Sequence, residues 1–267
     1  MPIVNLDSLD DPRIAAYRNL KDRDLAQRYG RFIAEGQSVV RRLLQSDYET
    51  ESILLAERYL ADAAAVAPPD VVIYAAPQQL LDQIIGYHFH TGMLACGKRK
   101  PPPSLSDIVP PAGDVLIVVC PDLNNSENLG GMIRLAAGFG ATAMLLGERS
   151  CDPFFRQTVR VSMGTIFSMP IVQSTSIVDD LKRLGALQVQ RIATVLDPQA
   201  ESLAAARKTS KRIALLFGNE AYGLSPEHVG VCDRKITIPM KLGTDSLNVA
   251  VTAGIILHHF VYVALPG

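Results

Sequence analysis

The chain of 267 residues has no charge excess: 26 Lys and Arg stand against 27 Asp and Glu. Residues 1–110 hold 12 basic and 14 acidic residues and the remainder 14 and 13, so the two parts carry −2 and +1. No strongly basic body advertises a polyanionic partner, and contact with nucleic acid has to rely on local patches. Cysteine is scarce. Cys96, Cys120, Cys151 and Cys232 lie far apart without a C-x-x-C pair, which excludes the usual zinc and dithiol motifs and argues against a disulfide framework. They read as buried thiols of a reducing compartment. No apolar run approaches the roughly 18 residues of a membrane span, and Met1–Asp7 lacks the basic and apolar regions of a secretory signal. The expectation is a cytoplasmic protein without membrane contact. Also missing are the G-x-G-x-x-G fingerprint, the phosphate-binding P-loop and the G-x-S-x-G elbow of hydrolases. His88 and His90 flank Phe89, and His258 adjoins His259; neither spacing is i, i+4 and no Cys or Glu completes a ligand set, so no metal is expected.

What is present is apolar and two-part. Hydrophobic residues make up 48% and charged residues 20%, the balance of a globular chain with a substantial core. Composition breaks at Lys98–Gly113, where five prolines hold the backbone extended and deny it helix or central-strand pairing. Residues 101–112 therefore read as a semi-rigid linker between a domain at 1–100 and one at 113–267. In the first, Asp10–Leu44 is mostly helical by pattern, interrupted by the apolar strand Arg31–Gly36. Gln37–Leu44 puts Val40, Leu43 and Leu44 on one helical face. Strands at Ser52–Ala56 and Val71–Ala75 alternate with helices near Ala61–Ala65 and Pro77–Ile84, a small α/β sandwich. The second domain repeats the alternation on a larger scale. Val115–Cys120 is continuously apolar, as a strand buried on both faces of a parallel sheet must be. A helix over Leu129–Phe139, strand Thr142–Leu146, helix Pro153–Val161, strand Phe167–Val172, helix Ile177–Leu184, strands Arg191–Leu196, Arg212–Phe217 and Arg234–Pro239, and a final helix Leu247–Val263 complete an α/β fold. Six strands with crossover helices imply an open, mainly parallel sheet whose ligands bind beyond the carboxyl ends of the strands.

Three loops at such ends carry the chemistry. In Asn124–Gly140, Asn and Ser suit turns and helix caps, which accounts for the polar cluster but not for Arg134 in a helix otherwise small and apolar. A guanidinium there has to find a phosphate or a carboxylate. In Leu215–Pro226, a buried strand empties into Gly218, Asn219 and Glu220, and Ser225–Pro226 forms an N-cap with Pro at the first helical position. Pairing with Arg134 or capping of a neighbouring helix suits Glu220 better than general-base chemistry. In Ile236–Ile255, Ser246 reads as the N-cap of the final helix, with Asn248 in its first turn. The helix N-terminus favours electron-rich groups.

Taken in order, Asn128-x-Gly130-x-x-x-Arg134, Gly218-Asn219-Glu220-x-x-Gly223-Leu224, and Ile238-Pro239-Met240 with Ser246-Leu247-Asn248-Val249-Ala250 resemble the SpoU (TrmH-like) family of RNA 2′-O-ribose methyltransferases, of the SPOUT class. The resemblance covers Asp114 to the end. It implies a SPOUT fold with a deep C-terminal trefoil knot, a rare exception to un-knotted topology, and a homodimer. It implies S-adenosyl-L-methionine as cofactor, held by Thr194, Val195, Leu196, Gly218, Ile238, Met240 and Leu247. Arg134 would help activate the ribose hydroxyl, with Asn128, Glu220, Ser246 and Asn248 completing the catalytic pocket; a guanidinium is a poor base, so an electrostatic role suits Arg134 better. Where the family often has a second Ser, this chain has Ala250. The N-terminal half is similar, more loosely, to the family's L30e-like substrate-binding domain, on Phe32–Val40 and His90–Ala95. Arg41, Arg42, Lys98, Arg99 and Lys100 would meet RNA phosphates, as would Arg18, Lys21, Arg23 and Arg28. The expected substrate is structured RNA, ribosomal ahead of transfer RNA. The alternative is an RNA-binding protein with a catalytically inactive methyltransferase fold; a nicotinamide-dependent oxidoreductase lacks its glycine fingerprint.

Overall fold

The computed structural model describes residues 1–18, 25–26, 29–86 and 88–264. They form two compact units, Met1–Pro101 with Asp152–Ser168, and Pro102–Cys151 with Met169–Gly267.

The first unit is built on β1 (Ile3–Asn5), β2 (Arg31–Glu35), β3 (Thr50–Ala56), β4 (Val72–Ala76) and β5 (Met93–Lys98), in the spatial order β1-β4-β3-β5-β2. β1, β4 and β3 run parallel, while β5 is antiparallel to both β3 and β2. Two of these strands escape the sequence pattern for physical reasons. β1 is three residues long and mostly exposed, too short to show a period. β5 ends on Gly97-Lys98, and Gly97 looks like a strand breaker. The Phe32 ring requires it: a Cβ there would lie 2.4 Å from Phe32 Cζ. The helix Gln37–Leu44 buries Val39, Val40 and Leu43; Leu44, assigned inward by periodicity, is half-buried.

The segment Asp152–Ser168, expected as a crossover of the large sheet, clusters with the first unit instead. Its aromatic residues explain the choice. The rings of Phe154 and Phe167 lie 5.0 and 5.6 Å from that of Phe32, and both also meet Tyr48. Pairing such rings adds roughly 0.5–1.5 kcal/mol beyond area burial.

The second unit holds β6 (Val115–Cys120), β7 (Ala143–Leu146), β8 (Ile171–Gln173), β9 (Gln190–Thr194), β10 (Glu201–Ser202), β11 (Arg212–Leu216) and β12 (Arg234–Thr237). The order is β10-β12-β9-β11-β6-β7-β8 and every pairing is parallel. Buried on both faces, Ile117, Val118 and Val119 are fully enclosed, as their unbroken apolar run requires. The two-residue β10 adds an edge strand that no pattern signals.

Residues 102–112 are less of a linker than their prolines suggest. Ser104 and Asp107 form a reciprocal capping box that starts a one-turn helix, Leu105–Ile108, and such a box satisfies two orphan donors at once. Leu105 and Val109 are buried in the core around Ile117, Leu181 and Leu216. The expectation of no helix there fails because the cap lies between the two proline clusters.

The strand order positions the site. After β8 at one edge, the chain re-enters at β9, and β11 later fills the place between β6 and β9. The carboxyl ends of β6, β11, β9 and β12 are thus neighbours, at the sheet's topological switch. The final helix, Val249–His258, packs on Ser126–Gly138. Gly131 allows this, since a Cβ on it would lie 3.3 Å from that of Ala250.

Candidate active site

The three loops meet through a directed chain of amides. Asn125, at the end of the loop after β6, caps the helix Ser126–Gly138 by accepting from the Glu127 and Asn128 N–H groups. Asn248, not Ser246, caps the final helix: its Oδ1 accepts from the Ala250 and Val251 N–H groups at 2.9 and 3.3 Å. Ser246 as N-cap is therefore corrected, because the helix starts at Val249. With its oxygen committed to the helix, Asn248 turns its Nδ2 outward and donates to Asn128 Oδ1 at 2.9 Å. Asn128 in turn has only donors left, and its Nδ2 donates to Glu220 Oε1. Each amide orientation is dictated by the one before it, back to the helix end, where the first four N–H groups lack intrahelical partners. Residues 128, 220 and 248, one from each motif, form a single network.

Arg134 stands apart. It is exposed and has no hydrogen bond or ion pair among the described residues. The expected pairing of Glu220 with Arg134 does not form; Glu220 takes the Asn128 amide instead. The desolvation argument for Arg134 also lapses, because the apolar neighbours face the sheet and the final helix while residue 134 faces solvent.

Next to this network lies a cavity of about 380 Å³, within the range usual for small-molecule sites. Thr194, Val195, Leu196, Gly218, Ile238, Met240 and Leu247, the seven residues expected to hold a cofactor, all line it. Of the expected catalytic residues, Glu220 and Ser246 reach the same cavity, and Asn128, Arg134 and Asn248 do not. The walls divide by chemistry. Ile238, Met240, Leu247, Val249 and Ile256 supply apolar surface, and Glu220, Ser246 and Thr252 supply polar groups. The Thr194 hydroxyl donates to the Leu216 carbonyl at 2.8 Å, so it ties β9 to β11 rather than offering itself to a ligand. Gly218 is required by its own loop: a Cβ would sit 2.4 Å from the Gly223 carbonyl carbon and 2.5 Å from Leu224 N. The Asn219–Gly223 backbone pair pulls these atoms together. Apolar surface from Ile238, Met240 and Leu247 together with the polar groups of Glu220, Ser246 and Thr252 suits an amphipathic small-molecule ligand.

The sequence gives no sign of what holds the Gly218–Leu224 loop in place. Asp122, just past β6, is 4% exposed and receives the Tyr222 hydroxyl hydrogen bond. Its carboxylate also lies 3.2 Å from Arg149 Nε, and its carbonyl accepts from Asn219 Nδ2 at 3.0 Å. Donating to a carboxylate raises the Tyr222 hydroxyl above its ordinary pKa. The partners lie 97 and 100 residues away, and only an unremarkable Pro-Asp pair after a strand could have pointed to them.

In the first unit, the expected phosphate contacts divide. Arg41 and Arg42 are exposed on the helix Gln37–Leu44. Lys98 pairs with Glu49 at 2.6 Å, and Lys100 Nζ lies 4.7 Å from the centre of the Tyr48 ring. Arg99 makes a two-point pair with Asp152 at 2.7 and 2.5 Å and stacks on Phe154. Arg99 therefore works as a packing residue whose charge is already matched. Arg18 pairs with Asp10 at 3.3 Å; Lys21, Arg23 and Arg28 lie outside the described residues. Cys96 and Cys120 are buried and Cys151 and Cys232 partly so; burial pushes the Cys96 thiol up to about 12. Among the described residues no cluster of His, Cys, Asp and Glu is placed to hold a metal.

An all-parallel sheet with a cavity at its switch point, joined through Glu220 to an Asn–Asn–Glu network, defines an α/β protein suited to a small ligand there. The chain belongs to the SpoU rRNA Methylase family, whose model matches residues 115–258. An uncharacterized tRNA/rRNA methyltransferase of Mycobacterium bovis is 36% identical over 256 residues, spanning 92% of this chain and 87% of that one. The AdoMet-bound rRNA methyltransferase from Sinorhizobium meliloti superposes with a TM-score of 0.82 at 25% identity, covering 96% of each chain. A structure of an RNA 2′-O ribose methyltransferase gives a TM-score of 0.79 at 26% identity, over 96% of this chain and 97% of that one. Membership places the chain among RNA methyltransferases.

Proposed function

We propose that this protein transfers a methyl group from S-adenosyl-L-methionine to a ribose 2′-hydroxyl of structured RNA, ribosomal ahead of transfer RNA. The observation that carries this reading is that the Asn248–Asn128–Glu220 network joins three distant loops, two of which line one cavity beside it. Thr194, Val195, Leu196, Gly218, Ile238, Met240 and Leu247 would hold the cofactor, their apolar side chains against its adenine and their backbone against its ribose. When bound, it supplies an electrophilic methyl group on a sulfonium. Glu220 and Ser246 present polar groups to the cavity. Asn128 and Asn248 keep the Glu220 carboxylate directed, since that network permits one hydrogen-bonding arrangement. Arg134, which has no ion-pair partner among the described residues, positions the RNA and stabilises charge developing on the ribose oxygen. The hydroxyl proton released in the transfer passes to solvent.

The first unit, read as L30e-like, would present the RNA. We extend the reading to a homodimer, supported by exposed apolar residues on one stretch of the C-terminal helix: Val251, Ile255 and Tyr262 are 52%, 41% and 59% exposed. A patch of that kind marks a partner surface. A trefoil knot is supported by the return of the helix after β12 to the helix after β6, with β9 and β11 interposed. A cytoplasmic location suits four free thiols.

The test is incubation of the protein with isotopically labelled S-adenosyl-L-methionine and ribosomal or transfer RNA, then digestion to nucleosides and mass spectrometry. Labelled 2′-O-methylnucleosides are expected. Label on a base would refute the ribose assignment, and cofactor binding without turnover on any RNA would favour the inactive fold.

A further inference from the structure

Phosphate contacts are expected from sequence along Arg41, Arg42 and Lys98–Lys100, but two of those five charges are paired with Glu49 and Asp152, and Lys100 lies over the Tyr48 ring. The unit has another source of positive charge. Glu35, at the end of β2, has a side chain only 3% exposed. Arg156 Nε lies 3.2 Å from its Oε2 and Arg160 Nη1 3.5 Å from its Oε1. One carboxylate thus pairs with two guanidiniums. Both arginines remain open to solvent, with side chains 32% and 45% exposed, and Arg160 is further steadied by donating to Gln157 Oε1 at 2.7 Å.

Arg42 lies against the same segment. Its Nη1 donates to the Met163 carbonyl, while the Met163 N–H donates to the Arg160 carbonyl at 3.0 Å. Met163 is in the left-handed region at φ 54°, and Gly164 after it leaves room for the Arg42 stem, since a Cβ there would lie 3.1 Å from Arg42 Cβ. The helix Gln37–Leu44 and residues 156–168 contain four arginines and no acidic residue; Asp47 borders the same hollow as Arg42. Arginine forks match phosphate oxygens two at a time. Arginines already held by a buried carboxylate lose less freedom on binding than free ones.

We infer that Arg156 and Arg160, carried by the segment Asp152–Ser168, join Arg41 and Arg42 in a surface that takes the phosphate backbone of structured RNA. The inference rests on the RNA methyltransferase reading and adds residues from outside the N-terminal stretch to the RNA contact. Phosphate contacts release counterions, so each one steepens the fall of log K with log salt, by about 0.7–0.9.

The experiment measures binding of bulk ribosomal RNA between about 50 and 200 mM salt, a range over which such contacts are resolved. Arg160→Gln leaves Arg156 to hold Glu35 and is expected to flatten the slope by about 0.7–0.9. The triple variant Glu35→Gln, Arg156→Gln, Arg160→Gln removes the buried charge together with the two arginines that pair with it. It is expected to flatten the slope by about 1.4–1.8, twice the single-contact value, while S-adenosyl-L-methionine affinity stays unchanged. Arg160→Lys, which keeps the charge, should restore most of the slope. An unchanged slope in the folded Arg160→Gln and triple variants overturns the inference and leaves the methyltransferase reading standing. Failure of the unaltered protein to bind RNA sinks that reading, and the inference with it.

Discussion

Replacing Asp122 with alanine tests whether the proposed cofactor cavity depends on a residue that does not line it. Asp122 anchors the Gly218–Leu224 loop in two ways, through its carboxylate to Tyr222 and through its carbonyl to Asn219. Alanine removes only the first. A hydrogen bond to a charged group contributes about 1.5–3 kcal/mol. The Arg149 pair adds little, because that arginine is 66% exposed and such pairs give about 0–1 kcal/mol. Tyr222 is 58% exposed, so water replaces part of the lost bond, and the surviving Asn219 bond keeps the effect at the low end of that range. If the loosened loop does not bind, the cofactor dissociation constant rises about tenfold. Titration calorimetry with S-adenosyl-L-methionine on the unaltered protein, Asp122→Ala, Tyr222→Phe and the double variant measures this directly. Asp122→Ala should weaken binding about tenfold and Tyr222→Phe several-fold, and the double variant should be no worse than Asp122→Ala, because both changes break one bond. A dissociation constant within about twofold in Asp122→Ala, or losses that simply add in the double variant, would refute the reasoning.

Other expectations concern the same chain. Arg134→Ala should lower the methyl-transfer rate about 10²–10³-fold, the cost of removing one charge-stabilising donor, with cofactor affinity nearly unchanged because residue 134 does not line the cavity; single-turnover kinetics beside calorimetry separate the two. Gly218→Ala puts a methyl group 2.4 Å from the Gly223 backbone and should cost about 1–3 kcal/mol, read as a lower Tm together with weaker cofactor binding. Asp82 accepts bonds from His88, the Phe89 N–H and Gln78, which hold its carboxyl down to about 2 from 3.8. With the folded value lowered, its contribution is present above pH 3.8 and is lost as pH falls toward 2. Thermal melts of Asp82→Asn should therefore lack the part of the acid sensitivity that the unaltered protein shows in that window.

The second unit was the more legible in sequence, because parallel strands buried on both faces leave unbroken apolar runs such as Val115–Cys120 and Arg212–Phe217. β5 was not legible, since Gly97 reads as a breaker until the Phe32 ring above it is known. The one-turn helix at Leu105 was hidden by flanking prolines, although Ser104 and Asp107 carry its cap in plain view. At the site, all seven residues assigned to the cofactor line one cavity. The roles within the polar set were misjudged: Glu220 meets Asn128 instead of Arg134, and Asn248 takes the cap assigned to Ser246.

Local chemistry alone decided a good deal. The apolar runs called for a parallel sheet, the three polar loops fell at strand ends, and their residues in order carried the family resemblance, because these features depend on near neighbours along the chain. Tertiary structure decided which distant groups meet. Asp122 finds Tyr222 across 100 residues, Glu35 finds Arg160 across 125, and the segment Asp152–Ser168 leaves the sheet that encloses it in sequence to complete the other unit. A hydrogen bond or ion pair forms wherever folding brings matched groups within about 3 Å, and sequence separation places no limit on that.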